Sequence, residues 1–212
     1  IGILGSCELD FSSCTNNASN EKDWSNFSPK VSAQYQFTDD MMAYASWTRG
    51  FASGVFNARA ATLDAVGPTN PESVDSLEVG FKTSFLDGRG IFNIAYFQAD
   101  YEDLILFVNN PCDDCGASLI NFNAGEAEIS GFEAEVQLQP VDGLRLEASI
   151  GTVDPEFTNI KYFDANADGV VDSKDNALAS TWDFQKVAEL SYSVAGSYEM
   201  GMMGGGALLT RV

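Results

Sequence analysis

The 212-residue chain contains no histidine. This absence excludes general acid–base catalysis by imidazole, Ser-His-Asp nucleophiles and most zinc or copper sites, because all of these depend on histidine. No other nucleophile, acid–base pair or cofactor motif stands in a recognisable arrangement. The sequence therefore predicts a protein that is not an enzyme.

Basic residues are also scarce, with 11 Lys and Arg against 31 Asp and Glu and a formal net charge of −20. Nucleic-acid binding requires a basic surface, so nucleic acid is excluded as a partner. The excess of carboxylates fits either a soluble, self-repelling surface or acidic loops that hold divalent cations. Aromatic residues make up 12% of the chain, which argues against disorder.

Long hydrophobic runs are missing as well. The longest, residues 104–108, is far below the roughly 20 residues of a transmembrane helix. If the protein crosses a membrane, it must therefore do so with strands. The chain starts at Ile1 and has no signal peptide, so we expect its true beginning to be missing.

Period-two alternation of apolar and polar residues is abundant, and it predicts strands. The alternating segments are 31–37, 77–85, 132–139, 144–150 and 188–198. Segments 41–50 and 89–108 are rich in β-forming residues but apolar on both faces, so their register is open. An eighth strand is expected to start near Gly204.

The predicted connections alternate between short and long. Short turns are expected at 38–40, at 87–88, at 141–143 and near Gly201. Long segments are expected over 1–28, 51–74, 109–127 and 153–182. A membrane barrel has short periplasmic turns and long extracellular loops, whereas a soluble sandwich has no reason to place every long loop at one end. The sequence thus predicts an all-β, antiparallel up-and-down transmembrane barrel, of which about eight strands are present.

The polar faces of the alternating segments carry glutamates. These are Glu78, Glu133, Glu135, Glu147 and Glu189. Each would be costly against lipid and is hydrated in a wet lumen. A solvated face explains each of them singly, so they need not line a substrate path.

Several segments resemble TonB-dependent receptors of the bacterial outer membrane. The most specific is 71–82 (PESVDSLEVGFK), and the others are 26–32 with 35–40, 43–51 with 56–57, 123–127 and 131–135. The resemblance implies a plugged barrel of 22 strands, so that the eight strands here are about a third of one. The plug domain and the segment that engages TonB are expected to be absent from this chain.

The same resemblance implies active transport of a scarce extracellular solute with TonB-coupled energy. The solute could be a ferric siderophore, a cobalamin or a carbohydrate, and the matching motifs name no ligand-binding residue. Two alternatives remain. One is a complete small barrel with a surface or structural role. The other is a secreted β binding module stabilised by calcium.

The segment 153–182 contains the pattern of an EF-hand calcium loop. The candidate ligands are Asp164, Asn166, Asp168, Val170 (through its carbonyl), Asp172 and Asp175. Gly169 stands where the loop turns sharply, and Asp175 replaces the usual Glu, as in the dockerin-type loops that this segment resembles. The alternative is a chance acidic turn. The pattern predicts a structural calcium ion.

Four cysteines fall on the predicted long-loop side, in two close pairs. Cys7 and Cys14 precede the first strand, and Cys112 and Cys115 lie in the segment 109–127. Oxidising surroundings and proximity favour Cys7–Cys14 and Cys112–Cys115 disulfides. A redox site at the second pair is disfavoured because the two intervening aspartates oppose thiolate formation. Zinc held by all four cysteines would require distant loops to meet.

Overall fold

The computed structural model of the chain describes residues 21–57, 66–112, 116–160, 184, 187–202 and 205–212. Eight strands form one sheet. They are β1 (Lys30–Thr38), β2 (Met41–Ala52), β3 (Glu72–Phe85), β4 (Gly90–Cys112), β5 (Gly116–Leu138), β6 (Leu144–Ile160), β7 (Leu190–Met202) and β8 (Gly206–Arg211). Each strand is antiparallel to the next, in the order β1 to β8. No helix among the described residues is long and apolar enough to cross a membrane.

Three of the four predicted short turns are confirmed. Only Asp39 and Asp40 separate β1 from β2, and five residues separate β5 from β6. Between β3 and β4, Leu86, Asp87 and Gly88 have φ values of 54°, 55° and 80°. This left-handed stretch is the conformation that an Asp-Gly hairpin turn favours. The turns therefore lie where local turn chemistry places them.

The fourth turn, predicted near Gly201, lies between Met202 and Gly206. Gly201 lies inside β7, where it pairs with Ala207 of β8. The strand β8 begins at Gly206 rather than near Gly204. A left-handed residue at this turn is Gly205, with a φ of 92°. The sequence 201–206 is rich in glycine and offers several equivalent turn positions, so local chemistry alone could not select one.

The prediction of a long loop over 109–127 is wrong in its secondary structure. Strands β4 and β5 have 23 residues each, and their pairing continues to Cys112 opposite Gly116. Strand β6 likewise continues to Ile160, inside the segment 153–182 that was predicted as a loop. A strand of this length spans about 75 Å, whereas a tilted membrane strand needs only about 9–11 residues. The β4–β5 hairpin therefore extends far beyond any membrane-spanning segment.

The register assigns a face to every strand residue, because directly opposite residues of antiparallel strands share a face. One row of paired residues runs across seven strands. It consists of Tyr35, Ala43, Phe81, Ile94, Ala134, Ile150 and Tyr192. We call this side of the sheet the apolar face. Its side chains are exposed or half-buried, and Tyr192 and Val194 are 77% and 78% accessible.

The adjacent row lies on the opposite side, the polar face. It consists of Gln34, Tyr44, Gly80, Ala95, Glu133, Gly151 and Ser191. Among the described residues, only two hydrophobic side chains, Ala124 and Ala127, are fully buried. An apolar exterior without a conventional core is the arrangement that a lipid-facing barrel requires. The eight strands are an antiparallel part of a larger barrel.

Toward the far end of the strands, the apolar face ends in a charged row. It consists of Arg49, Asp75, Asp100, Glu128 and Glu156. Arg49 forms ion pairs with Asp75 at 3.5 Å and with Glu102 at 3.8 Å. Such a row is costly in hydrocarbon, so it marks where the apolar belt stops.

Candidate functional site

Charged side chains converge on the polar face of strands β2 to β5. We call Tyr44, Glu78, Lys82, Glu133 and Glu135 the polar-face cluster. They line an open hollow of about 670 Å³ that also borders Asn93 and reaches Ser149 and Ser191 on the neighbouring strands. The alternation of the strands brings these residues together, since each has its apolar neighbours on the opposite side.

Tyr44 is fixed in place by residues of the adjacent strand. Its hydroxyl donates a hydrogen bond to the Glu78 carboxylate at 2.5 Å. The Lys82 ammonium group lies 5.5 Å from the centroid of the Tyr44 ring, within the range of a cation–π interaction. The ring lies over Gly80, where an added Cβ would overlap it. Glycine at this position therefore lets the tyrosine lie flat along the wall.

The polar-face cluster has an excess of negative charge. Three carboxylates stand against the single ammonium group of Lys82. Gln137 donates a hydrogen bond to one oxygen of the Glu135 carboxylate at 2.7 Å. Such a wall can accept charge-assisted hydrogen bonds from guanidinium or ammonium groups. No group of three or more His, Cys, Asp or Glu side chains within the described ranges could hold a metal ion.

The structure confirms the polar-face position of four of the five predicted glutamates. Glu78, Glu133, Glu135 and Glu147 share that face. Glu147 is paired with Arg145 at 2.7 Å rather than being part of the cluster. Glu189 lies just before β7, where its carbonyl accepts a hydrogen bond from Val153.

Sequence reasoning missed Tyr44. The segment 41–50 is apolar on both faces, so its pattern did not indicate which side chains face inward. Only the pairing of Tyr44 with Gly80 reveals its side. The polar residues Ser46 and Thr48, two and four positions after Tyr44, are the local signal that could have indicated its side.

The predicted calcium ligands, Asp164, Asn166, Asp168, Val170, Asp172 and Asp175, lie outside the described residues. Cys7, Cys14 and Cys115 also lie outside them, and Cys112 is described only as the last backbone position of β4. The calcium loop and both disulfides therefore stay predictions.

The antiparallel sheet, its apolar face and its polar opposite face define part of an outer-membrane-type β-barrel. The chain belongs to the family of TonB-dependent receptors. The family model for the TonB dependent receptor-like β-barrel matches residues 9–211. The resemblance seen in the sequence is thereby confirmed.

Two curated relatives are siderophore receptors by name. The chain is 30% identical to the ferric-pyoverdine M114 receptor PbuA of Pseudomonas sp. (strain M114) over 145 residues, which cover 68% of the chain and 16% of that protein. It is 25% identical to the ferripyoverdine receptor of Pseudomonas aeruginosa over 187 residues, which cover 85% of the chain and 20% of that protein. The chain thus spans about a fifth or less of these relatives' length. Both are named as receptors.

A solved structure of similar fold is BauA, the ferric preacinetobactin receptor of Acinetobacter baumannii. It aligns with a TM-score of 0.61 at 19% identity, and the match covers 92% of this chain and 26% of BauA. At this identity the likeness concerns the fold alone. The alignment agrees with eight strands of a larger barrel.

Proposed function

We propose that this chain is part of an outer-membrane receptor that binds a scarce extracellular solute and imports it with TonB-coupled energy. The observation that carries the proposal is the family match over residues 9–211. The apolar face, which would contact outer-membrane lipid, and the hydrated polar face, which would line the lumen, are consistent with it.

A ferric siderophore is the solute class that we favour. Support comes from the two relatives, both of which are named as receptors for a ferric pyoverdine-type ligand. Cobalamin and carbohydrate are the competing classes. No described residue has a contact that would select one class over another, so the preference rests on relationship alone.

We assign the polar-face cluster to contact with a plug domain inside the lumen. Its three carboxylates, Glu78, Glu133 and Glu135, would accept hydrogen bonds from arginine or lysine side chains of the plug. TonB would then act on this chain indirectly, through the plug. The short turns would face the periplasm and the long connections the cell exterior.

The function is tested by deleting the full-length gene and measuring uptake of radiolabelled solutes. We expect uptake of one ferric siderophore to be lost, and to be lost equally when TonB is deleted. A fall in cobalamin or carbohydrate uptake with unchanged iron uptake would show that the solute class is wrong. If no solute depends on the gene, the receptor function itself is refuted.

We further propose that the loop 164–175 binds calcium as a structural ion. Asp164→Ala together with Asp168→Ala removes two carboxylate ligands, so we expect calcium affinity to fall by about 100-fold or more. The barrel should still fold because none of the described strands includes these positions: β6 ends at Ile160 and β7 begins at Leu190. Calorimetric titration of the full-length protein measures the affinity.

The matched control for the calcium loop is Ser173→Ala together with Lys174→Ala, at two positions that the pattern does not use as ligands. This variant should titrate like the unmodified protein. An unchanged titration of the aspartate variant would show that the loop is an ordinary acidic turn.

Two local disulfides are proposed on the same side of the sheet as the calcium loop. Their support is close spacing and an oxidising exterior. Mass spectrometry of unreduced peptides should show Cys7 linked to Cys14 and Cys112 linked to Cys115. Four free thiols in freshly isolated protein would contradict the proposal.

A further inference from the structure

The connection between β2 and β3 is folded on itself in its described parts, 53–57 and 66–71. The Thr69 amide donates to the Val55 carbonyl at 2.9 Å, and the Val55 amide donates to the Thr69 hydroxyl at 2.9 Å. The Asn57 amide donates to the Val66 carbonyl at 2.8 Å. These bonds pair the two arms of the loop over its described stretch.

The first arm is attached to the β4–β5 hairpin by Asn57. Its side-chain amide donates to the Asn121 carbonyl at 2.8 Å, and its side-chain oxygen accepts from the Asn121 amide at 2.7 Å. One carboxamide thus bonds both backbone groups of one residue, as a neighbouring strand would do. Asn57 is only 6% exposed, so water does not readily replace these bonds.

The second arm is attached by a side chain of the hairpin that bonds the backbone of the loop, whereas at the first arm a loop side chain bonds the backbone of the hairpin. Asn123 accepts from the Asn70 amide at 2.7 Å and donates to the Asn70 carbonyl at 3.0 Å. It also donates to the Asp103 carbonyl at 2.7 Å, which ties β5 to the bulged part of β4. Asn123 is 8% exposed.

A third contact lies where the loop enters β3. The Glu72 carboxylate accepts a hydrogen bond from the Ile105 amide of β4 at 2.9 Å. The residues joined by these contacts lie 33 to 64 positions apart in the chain. On the hairpin side, these contacts involve residues beyond the last pair between β5 and β6, which is Gly125 with Ile160. This section of the hairpin therefore extends past the end of β6.

We propose that the β2–β3 loop and the protruding β4–β5 hairpin are clamped into one rigid body by Asn57 and Asn123. Both carboxamides are buried with donor and acceptor used, so opening one side leaves buried polar groups unpaired. The two arms are themselves paired, and the clamp therefore opens as a unit. Rearrangement of this end of the sheet must move loop and hairpin together.

Hydrogen–deuterium exchange of the full-length protein tests the clamp. In the unmodified protein, amides of 66–71 should exchange about as slowly as those of the adjacent hairpin section. In Asn57→Asp, the donor to Asn121 is lost and a carboxylate is buried. We expect exchange to rise by about tenfold or more in 53–57 and also in 66–71, which holds its own contact to Asn123. Asn123→Asp should give the same joint response.

The control is Asn26→Asp, since Asn26 is exposed and hydrogen-bonds the nearby Ser28. It should leave exchange in both arms unchanged. A rise confined to the arm whose contact is removed, 53–57 in Asn57→Asp or 66–71 in Asn123→Asp, would overturn the clamp, because the arms would then open separately. If a variant does not assemble, the unmodified protein still decides the question. Exchange of 66–71 at the rate of an unstructured chain beside a protected hairpin would refute the proposal.

Discussion

Val136→Arg is expected to destabilise the assembled barrel by about 2–4 kcal/mol, whereas Glu135→Arg, one residue away, is expected to fold almost normally. Val136 pairs with Phe92 and Ala148 on the apolar face, between Ala134 and Leu138 of its own strand. A guanidinium group there must lose its hydration against hydrocarbon. At Glu135 the new side chain points to the hydrated polar face.

The measurement is folding of the full-length protein into lipid vesicles, followed by urea titration and heat-modifiable gel mobility. Glu135→Arg also removes a negative charge, so a second matched pair on β7 uses two uncharged positions. Val194→Arg should destabilise, because Val194 lies on the apolar face, and Ser193→Arg should be tolerated, because Ser193 hydrogen-bonds Ser149 on the polar face. If the polar-face variants block assembly while the apolar-face variants do not, the assignment of faces is inverted.

Gly131→Ala is expected to be the most damaging small substitution, with a cost of about 3 kcal/mol. Gly131 is buried in β5, and a Cβ there would overlap the Thr152 carbonyl oxygen of β6. It would also lie 2.7 Å from the Phe97 ring of β4. A backbone oxygen cannot move aside as a flexible side chain can, so the spacing of β5 and β6 must give way.

The control is Gly196→Ala, because a Cβ at that strand position would meet only the Leu146 side chain at 3.5 Å, an ordinary contact. The double variant Gly131→Ala with Phe97→Ala separates the two causes. Removal of the ring should restore only part of the stability if the carbonyl overlap dominates. Equal urea midpoints for Gly131→Ala and Gly196→Ala would contradict the close approach of β5 and β6.

The strand faces and most of the short turns could be predicted from the sequence, because each depends on residues that are neighbours in the chain. Alternation places Val136 and Glu135 on opposite sides, and the Asp87-Gly88 pair marks its turn. The far end of the β4–β5 hairpin could not be predicted this way. Asn109, Asn110 and Pro111 suit a loop by their local chemistry, and they are strand because their backbone pairs with β5.

The contacts of the clamp residues could not be predicted from the sequence for a related reason. Asparagine is common in turns, so Asn57 and Asn123 carry no local signal of a tertiary contact. The partner of Asn57 lies 64 positions along the chain. The position of Tyr44 likewise depends on its register with β3, which the doubly apolar pattern of β2 leaves open.

Within the described part of the chain, each strand of the sheet pairs only with its neighbours in sequence. A whole hairpin can therefore be duplicated or lost without changing how the remaining strands meet. Barrels of different circumference are then connected by two-strand steps in evolution. Insertion of a single strand would instead reverse the sidedness of everything that follows, so that turns and long connections would exchange compartments.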